Sequence, residues 1–345
     1  MRLLVASVVC VLLALSFPGI VSKLEDNITA CGDFFFEDKS PVIPGILEDS
    51  VTQDNRYKII CQKYKNKIRF ATIYDTTNRI PVFSAYKYTG TNNFTRPEIP
   101  RIWRTESQLE PSDAEMQVPF SKQARNQDYW IKDTCNCTHG TLFPINHTAD
   151  TETANSTFTL TNSVPERSGF REEIWNVVEK TTKEVMDRYC RDNNNNIVAY
   201  VLTGAVPSKA SKLNNRVNIP SNVWTAFCCY NRTETSWVSK TFKAENKAKN
   251  VTITLKSLEI LQSFLTKELG VNVELFKNNC DVVASQFRCR NLRNQWLRSM
   301  SKCIRAARRR PSLVLECHKM HPSPRMQCRR LIDHDSQLRL GFFSD

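Results

Sequence analysis

The chain has 345 residues, of which 41% are hydrophobic, and a formal net charge of +13. This length suits one large domain with an appendage, and the apolar content is that of a folded rather than a disordered chain. The charge is uneven, because residues 281–345 hold 14 Lys and Arg against 5 Asp and Glu, whereas residues 23–280 hold 33 against 30. The main domain is therefore nearly neutral, and the C-terminal segment is a polycation.

Residues 1–22 have the pattern of a secretory signal peptide. A positive charge near the start precedes an apolar stretch at residues 3–17, and the segment ends at a small residue, Ser22. Pro18 and Gly19 end the apolar stretch before it is long enough to span a bilayer. We therefore predict a secreted, extracellular protein without a transmembrane segment after signal removal.

Twelve cysteines follow this segment, and an even number in an oxidising compartment predicts disulfides. They are Cys31, Cys61, Cys135, Cys137, Cys190, Cys228, Cys229, Cys280, Cys289, Cys303, Cys317 and Cys328. Eight lie at or before Cys280 and four lie after it, so each part can close its own bridges. Cys31 and Cys61 are candidate partners, and the adjacent Cys228 and Cys229 face opposite sides of a strand, which predicts different partners.

A metal site at Cys135-x-Cys137-x-His139 is the alternative to disulfides there, although thiolates of secreted chains are normally oxidised. Seven Asn-x-Ser/Thr sequons without a central proline also predict a surface-glycosylated protein. Their asparagines are Asn27, Asn93, Asn136, Asn146, Asn155, Asn231 and Asn250.

The first part of the main domain is predicted to change from loop to strand. Residues 23–56 are expected to be loop-rich, with a first buried cluster at residues 31–36. Polar residues 89–130 lack periodicity and predict long loops. Between these regions the composition predicts three strands, the last two joined by a hairpin turn at residues 75–79: residues 57–62, 68–74 and 80–88.

The second part begins with a predicted strand at residues 135–144. Residues 157–179 predict an alternating strand, a loop containing Pro165 and the start of a helix that runs from about Glu172 to Tyr189. Its expected buried stripe is Ile174, Val177, Val178, Thr181, Val185 and Met186. Two buried strands and a last amphipathic helix ended by Gly270 follow, at residues 197–207, 219–230 and 254–269.

The two pieces that form the strand-loop-helix pattern read C-N-C-T-H-G-T-L-F-P at 135–144 and T-F-T-L-T-N-S-V-P-E-R-S-G-F-R-E-E-I-W-N-V-V-E at 157–179. They resemble the core of the DNA/RNA non-specific endonuclease family, the ββα-metal nucleases. In that family the pieces read D-R-G-H-L-N-P, and L-T-N-x-x-P followed by N-x-x-x-W-x-x-x-E. R-I-P-V-F-S-A-Y at 79–86 further resembles the secreted endonuclease domain-containing branch.

This resemblance covers roughly residues 30–280 and implies an α+β fold with a central antiparallel sheet. The expected domains are the signal peptide at 1–22, an endonuclease-like domain at 23–280 and an Arg-rich extension with four cysteines at 281–345. In an active family member, the motif histidine is the general base, the motif arginine faces the phosphate, and the helix asparagine holds a divalent cation.

Several of these working positions carry other residue types here. The base position is Thr141, and the metal-ligand position is Arg171, which offers no lone pair. Three further positions of the strand motif differ from the family: Thr138, His139 and Phe143 stand in place of its Asp, Arg and Asn. The residues that match the family are Gly140, Leu142, Pro144, Asn162, Trp175 and Glu179. The resemblance therefore implies a degenerate site that needs no metal cofactor.

Other candidate residues are expected to be without a catalytic role. His139 lies on the same strand face as Thr141 but about 6.5 Å away along the strand, too far to replace the base. We expect His139 and His147 on the surface or in loops, and Glu179 as a surface carboxylate of the helix. A glycan on Asn136 would stand beside the cleft and obstruct a duplex.

The basic segment 281–345 predicts binding of a polyanion, such as heparan sulfate, nucleic acid or an anionic membrane surface. The alternative is a solvated basic extension, and R-A-A-R-R-R at 305–310 also resembles a convertase cleavage site. The expected contact residues are Arg305, Arg308, Arg309, Arg310, Arg329 and Arg330. The sequence thus predicts a secreted glycoprotein on a degenerate nuclease scaffold; the alternative is an active nuclease that uses Mg²⁺ or Mn²⁺.

Overall fold

A computed structural model of the chain describes residues 23–91, 102–110, 120–130, 135–247 and 254–276, together with Cys280. The predicted signal peptide, the sequons at Asn93 and Asn250 and the basic segment with its four cysteines lie outside the described residues. Within the described residues, no helix has the length and apolar character needed to cross a bilayer.

Eight strands form one antiparallel sheet in the order β1-β4-β5-β6-β9-β12-β13-β14, and three separate pairs are β2-β3, β7-β8 and β10-β11. In chain order the strands are β1 Lys23–Glu25, β2 Leu47–Glu48, β3 Val51–Thr52, β4 Tyr57–Tyr64, β5 Lys67–Asp75, β6 Ile80–Tyr88, β7 Cys137–Thr141, β8 Ser163–Arg167, β9 Ala199–Val206, β10 Lys212–Leu213, β11 Val217–Asn218, β12 Asn222–Asn231, β13 Ser236–Glu245 and β14 Thr254–Lys256. The predicted α+β fold with a central antiparallel sheet is confirmed.

The described helices are short, apart from two that cover the faces of the sheet. They are α1 Asn126–Trp130, α2 Thr151–Ser156, α3 Asn176–Tyr189 and α4 Leu258–Leu269. A π-helical turn, Phe170–Trp175, leads directly into α3. Short 3₁₀ turns lie at Ile28–Phe34, Phe36–Asp38, Ser107–Leu109, Ile145–His147 and Leu160–Asn162.

Both faces of the sheet are covered, which explains why its central strands are almost continuously buried. On one face, helix α4 inserts Leu258, Leu261 and Leu265 into a cluster with the N-terminal aromatic side chains Phe35 and Phe36. On the other face, Met186 of α3 packs with Phe143 and residues of the central strands, while the β7-β8 hairpin packs on a neighbouring cluster. The second face therefore carries the two predicted motif pieces.

The strand predictions hold where the pattern was strongest. Strands β4, β5 and β6 and the turn between the last two are confirmed, and Asp75 accepts the backbone N–H groups of Thr77 and Asn78 in that turn. The predicted helix start at residue 254 is wrong, because residues 254–256 pair with β13. The helix instead begins after Ser257, whose hydroxyl caps it, and ends at Gly270 in the left-handed conformation, as predicted.

The eight cysteines up to Cys280 pair among themselves, as the sequence predicts. The bonds are Cys31–Cys61, Cys135–Cys137, Cys190–Cys229 and Cys228–Cys280. The first is the predicted pair, and the adjacent cysteines of β12 do reach different partners. The alternative metal site at Cys135 and Cys137 is wrong, because the two sulfurs are bonded to each other.

Gly204 marks a tight contact at the centre of the sheet. It lies opposite Trp224 on the neighbouring strand, and a Cβ added at Gly204 would overlap the Trp224 indole and lie 2.6 Å from the carbonyl oxygen of Val82. Gly204 thus lets the indole lie against the backbone of β9.

We expect Gly204→Ala to lower the free energy of unfolding by about 1–3 kcal/mol, because the added methyl group overpacks the sheet. Gly32→Ala is the matched control, since the nearest atom to its added Cβ is 3.8 Å away. Denaturant unfolding of both variants measures the difference. Equal unfolding midpoints for the two variants would contradict a steric role of Gly204.

Candidate functional site

The two motif pieces form a β-hairpin that is followed by a helix. Strand β7 pairs with β8 so that Gly140 lies opposite Val164 and Thr141 lies opposite Ser163. The predicted loop around Pro165 is wrong, because Pro165 lies within β8. The chain then passes through the π-helical turn into α3, which gives the strand-strand-helix arrangement that the resemblance implies.

Asn162, a motif residue that matches the family, holds this hairpin to the central sheet. Its side-chain oxygen accepts the Phe143 N–H at 3.0 Å and the Ser84 hydroxyl at 2.8 Å. Its amide group donates to the carbonyl oxygens of Phe143 and Thr157, at 3.2 and 3.0 Å. These four bonds satisfy a fully buried side chain, so Asn162 has a structural role that does not depend on catalysis.

Arg171, at the metal-ligand position, pairs with two carboxylates. Its Nη1 lies 2.7 Å from Oε1 of Glu179 and 3.4 Å from Oε2 of Glu166. Glu179 is only 4% exposed, so the expectation of a surface carboxylate is wrong. The helical stripe was also partly wrong, because Val177 is exposed, whereas Glu179 and Thr182 are buried. Helix α3 thus buries the negative charge of Glu179, and the Arg171 guanidinium compensates this charge.

Glu166 is the site residue that the sequence reasoning missed. It is fully buried on β8, its side chain packs against Gly140, and its Oε1 has no hydrogen-bond partner. Burial raises the pKa of Glu166 to about 7, and the like charge of Glu179 adds to this, whereas Arg171 opposes it. If residues 163–167 are predicted as a strand, Glu166 lies on the same face as the apolar Val164. The alternation then predicts that Glu166 is buried.

The sequence predicted His139 on the surface or in a loop; it instead lies in strand β7, partly buried, and its ring belongs to an aromatic stack. Its ring stacks on Trp103 at 4.2 Å and on Tyr129 at 3.7 Å between centroids. Burial lowers the pKa of His139 to about 4, and its Nε2 is buried without a hydrogen-bond partner. The imidazole is therefore neutral near pH 7 and packed between two rings.

His147 is likewise buried, at 3% exposure, so its predicted surface position is also wrong. Its Nε2 lies 2.8 Å from the carbonyl oxygen of Glu179 and its Nδ1 lies 2.8 Å from the Tyr86 hydroxyl. Because a carbonyl only accepts, Nε2 carries the proton and Nδ1 accepts from Tyr86. Burial lowers the pKa of His147 to about 4, and this histidine ties α3 to the sheet.

A divalent cation does not fit the residues that the family frame provides here. The ligand position holds a guanidinium, which repels a cation and is already bonded to carboxylates. Thr141, at the base position, is 8% exposed and carries a hydroxyl instead of an imidazole. Within the described part of the chain, no group of three or more His, Cys, Asp or Glu side chains is placed to hold a metal ion.

The described sequons differ in exposure. Asn136 is exposed, whereas Asn27, Asn146 and Asn155 are partly exposed. Asn231 departs from the expected surface position, because it is 5% exposed and its side-chain oxygen accepts the backbone N–H of Thr233. A glycan on Asn136 would emerge at the start of β7, beside the hairpin.

The family model described as DNA/RNA non-specific endonuclease matches residues 50–273. Endonuclease domain-containing 1 protein of Homo sapiens is 28% identical over 277 residues, which cover 76% of this chain and 49% of that protein. The Mus musculus protein of the same name is 33% identical over 213 residues, 58% of this chain and 38% of its own length. The chain thus spans half or less of these relatives. A chain from the crystal structure of an EndoG/EndoGI complex aligns with a TM-score of 0.44 and 16% identity, over 59% of this chain and 82% of that chain.

The pKa of Glu166 makes a prediction for stability. Because the pKa of Glu166 in the folded chain, about 7, lies above the ordinary 4.5, the native state binds this proton more tightly than the unfolded chain does. The stabilisation is complete below about pH 4.5 and is lost as the pH rises through 7. We therefore expect Glu166→Gln to gain stability relative to the parent chain between pH 4.5 and 7, by roughly 3 kcal/mol in total.

Urea unfolding across this pH range measures the difference between the two chains. The control is Glu172→Gln, which makes the same carboxyl-to-amide change at an exposed side chain of the π-helical turn. A difference between Glu166→Gln and the parent chain that stays constant with pH would show that Glu166 is ionised in the native state throughout this range.

Proposed function

The chain belongs to the DNA/RNA non-specific endonuclease family, as its motifs predicted, and we propose that its nuclease site has lost hydrolysis and that the protein acts by binding. The observation that carries this proposal is the ion pair between Arg171 and Glu179, at 2.7 Å between Nη1 and Oε1. It places a fixed positive charge at the position where the family holds a divalent cation. A metal would have to displace the guanidinium from two buried carboxylates.

The general base is lost together with the metal ligand. The Thr141 hydroxyl does not accept a proton near neutral pH, and His139 is held between Trp103 and Tyr129 with its Nε2 buried. A positioned general base contributes roughly 10²–10⁴ in rate, and a metal ion contributes several kcal/mol of charge stabilisation. Losing both removes the two main terms of phosphodiester hydrolysis.

The charges of the site also disfavour a polynucleotide. Glu166 and Glu179 both lie beside the single guanidinium of Arg171. A nuclease cleft normally presents positive charge, because phosphate contacts dominate the affinity for nucleic acid. The excess positive charge of this chain lies instead in residues 281–345, which carry 14 basic against 5 acidic residues.

We therefore infer a secreted glycoprotein whose basic C-terminal segment binds a polyanion through sulfate or phosphate groups. The signal-like residues 1–22, the sequons and the disulfides support the secretory route. The competing function is a working metal-dependent nuclease with a relocated base. Family membership favours it in general, but the residues at positions 141 and 171 oppose it.

A degradation assay separates the two functions. The secreted chain, before and after enzymatic deglycosylation, is incubated with plasmid DNA and RNA in Mg²⁺, in Mn²⁺ and in EDTA. We expect no cutting above the EDTA control in any arm, because base and metal ligand are both missing. Metal-dependent cutting that is lost in His139→Ala would overturn the proposal, and cutting only after deglycosylation would show that access alone was lost.

Polyanion binding is tested in the full chain by replacing Arg305, Arg308, Arg309 and Arg310 with Gln. We expect weaker heparin and DNA binding and, for duplex DNA, a log affinity–log salt slope smaller by as much as about 3.6, since each neutralised phosphate contributes about 0.9. The matched control removes four exposed charges of the folded domain: Lys180, Lys209, Lys212 and Lys267. An equal loss in the control would contradict a role specific to the C-terminal segment.

A further inference from the structure

At the start of β7 a sequon overlaps a disulfide bond. The sequon Asn136-Cys137-Thr138 has a cysteine as its middle residue, which none of the other six sequons has. That cysteine is bonded to Cys135, at a sequence separation of 2. The disulfide therefore closes a small ring around the very asparagine that would receive the glycan.

The ring holds Asn136 in a conformation that an extended segment does not have. Its φ of 45° lies in the left-handed region, which Asn tolerates better than most residues. Its carbonyl oxygen accepts the N–H of Ser168 at 3.1 Å and the Ser168 hydroxyl at 2.7 Å. Cys137 follows directly as the first residue of β7, opposite Arg167. In the folded chain the backbone is therefore fixed on both sides of the acceptor, whereas the disulfide ring is local and needs no fold.

A glycan-transferring enzyme needs a different arrangement. The sequon is defined by its asparagine and by the hydroxyl residue two positions later, so the enzyme must hold both side chains together. In an extended segment, residues at i and i+2 face the same side. A left-handed residue turns the chain at Asn136 and removes this relation to Thr138, and the disulfide prevents the segment from extending. The bonded ring is therefore not an acceptor.

We propose that the Cys135–Cys137 bond and a glycan on Asn136 are alternative modifications, so that the chain is made in two covalent forms; this rests on the proposed secretory route. Glycan transfer joins Asn136 Nδ2 to C1 of a lipid-diphosphate-linked oligosaccharide. The sugar–phosphate bond breaks, and the amide loses one proton. Disulfide closure takes two protons and two electrons from the two thiols, and the electrons reduce the disulfide of a thiol oxidoreductase.

Disulfide closure and glycan transfer can take place at the same stage of folding. The other described disulfides join residues 30, 39 and 52 positions apart and need the sheet to bring their cysteines together. Cys135 and Cys137 need no tertiary contact, because they are neighbours in the chain. Closure can therefore occur in the unfolded chain, where the glycan is also transferred. The outcome decides whether the exposed start of the hairpin is bare or covered by sugar.

One tryptic peptide contains Asn136 and both cysteines, so it reports the glycan and the disulfide together. No Lys or Arg lies between residues 132 and 167, so trypsin releases residues 133–167 with all three sequons of this region. The secreted full chain is alkylated, digested and deglycosylated in heavy-oxygen water, which labels each formerly glycosylated Asn. We expect peptides with a closed Cys135–Cys137 bond to be unlabelled at Asn136, and peptides labelled at Asn136 to carry two alkylated cysteines.

Two variants test the cause. Cys135→Ser keeps the sequon unchanged, and Cys135→Ser/Cys137→Ser turns it into Asn-Ser-Thr; both abolish the ring. We expect occupancy of Asn136 to rise several-fold in both, while occupancy of Asn155 on the same peptide stays constant. Unchanged occupancy of Asn136, or parent peptides that carry the label and the closed bond together, would overturn the proposal. Absence of glycan at every sequon would refute the secretory route itself, and the inference with it.

Discussion

The ion pairs of Arg171 with Glu179 and Glu166 join the first turn of the helix to the β7-β8 hairpin. Burial raises the pKa of Glu166 to about 7, so a proton neutralises part of its charge. The buried Glu179 carboxylate needs a cation, because an uncompensated buried charge costs several kcal/mol. A bound metal or a guanidinium can meet that need. A metal ion retains coordination positions for water and substrate, whereas the Arg171 guanidinium is bonded to protein oxygens. The Arg171 guanidinium thus balances the charge of the buried carboxyl groups at the position where the family frame has a metal ligand.

Three of the family positions that this chain retains have a packing role. Asn162 satisfies all its hydrogen bonds inside the protein and fastens the hairpin to β6. Gly140 leaves the space that the side chain of Glu166 occupies, and Trp175 is buried against Phe170. The fold needs these residues whether or not the site is catalytic, since replacing them would disturb the packing of the hairpin and the helix. A match at such positions therefore identifies the scaffold and says little about the chemistry.

The sequence predicted the central strands, the turn after β5 and the pairing of the eight cysteines up to Cys280 among themselves, because these depend on local composition and on a limited set of cysteines. It failed where a residue's environment depends on distant partners. Glu179 was expected in water because a carboxylate is normally exposed, and its burial follows only once Arg171 folds back over the helix. The position of His139 depends on Trp103, which lies 36 residues earlier in the chain and stacks on its ring. No periodicity encodes such a contact.

Buried titrating groups near the hairpin act on stability in opposite directions. Glu166 favours the native state at low pH, since its folded pKa is about 7. His139 and His147 have folded pKa values of about 4, so their stabilisation is complete above the ordinary histidine pKa of 6.5 and is lost as the pH falls towards 4. Below about pH 6.5 the two imidazoles change the free energy of unfolding with pH more than the carboxyl does. Near neutral pH the opposite slopes of the three groups cancel. The buried carboxyl of Glu166 thereby flattens the pH dependence of folding.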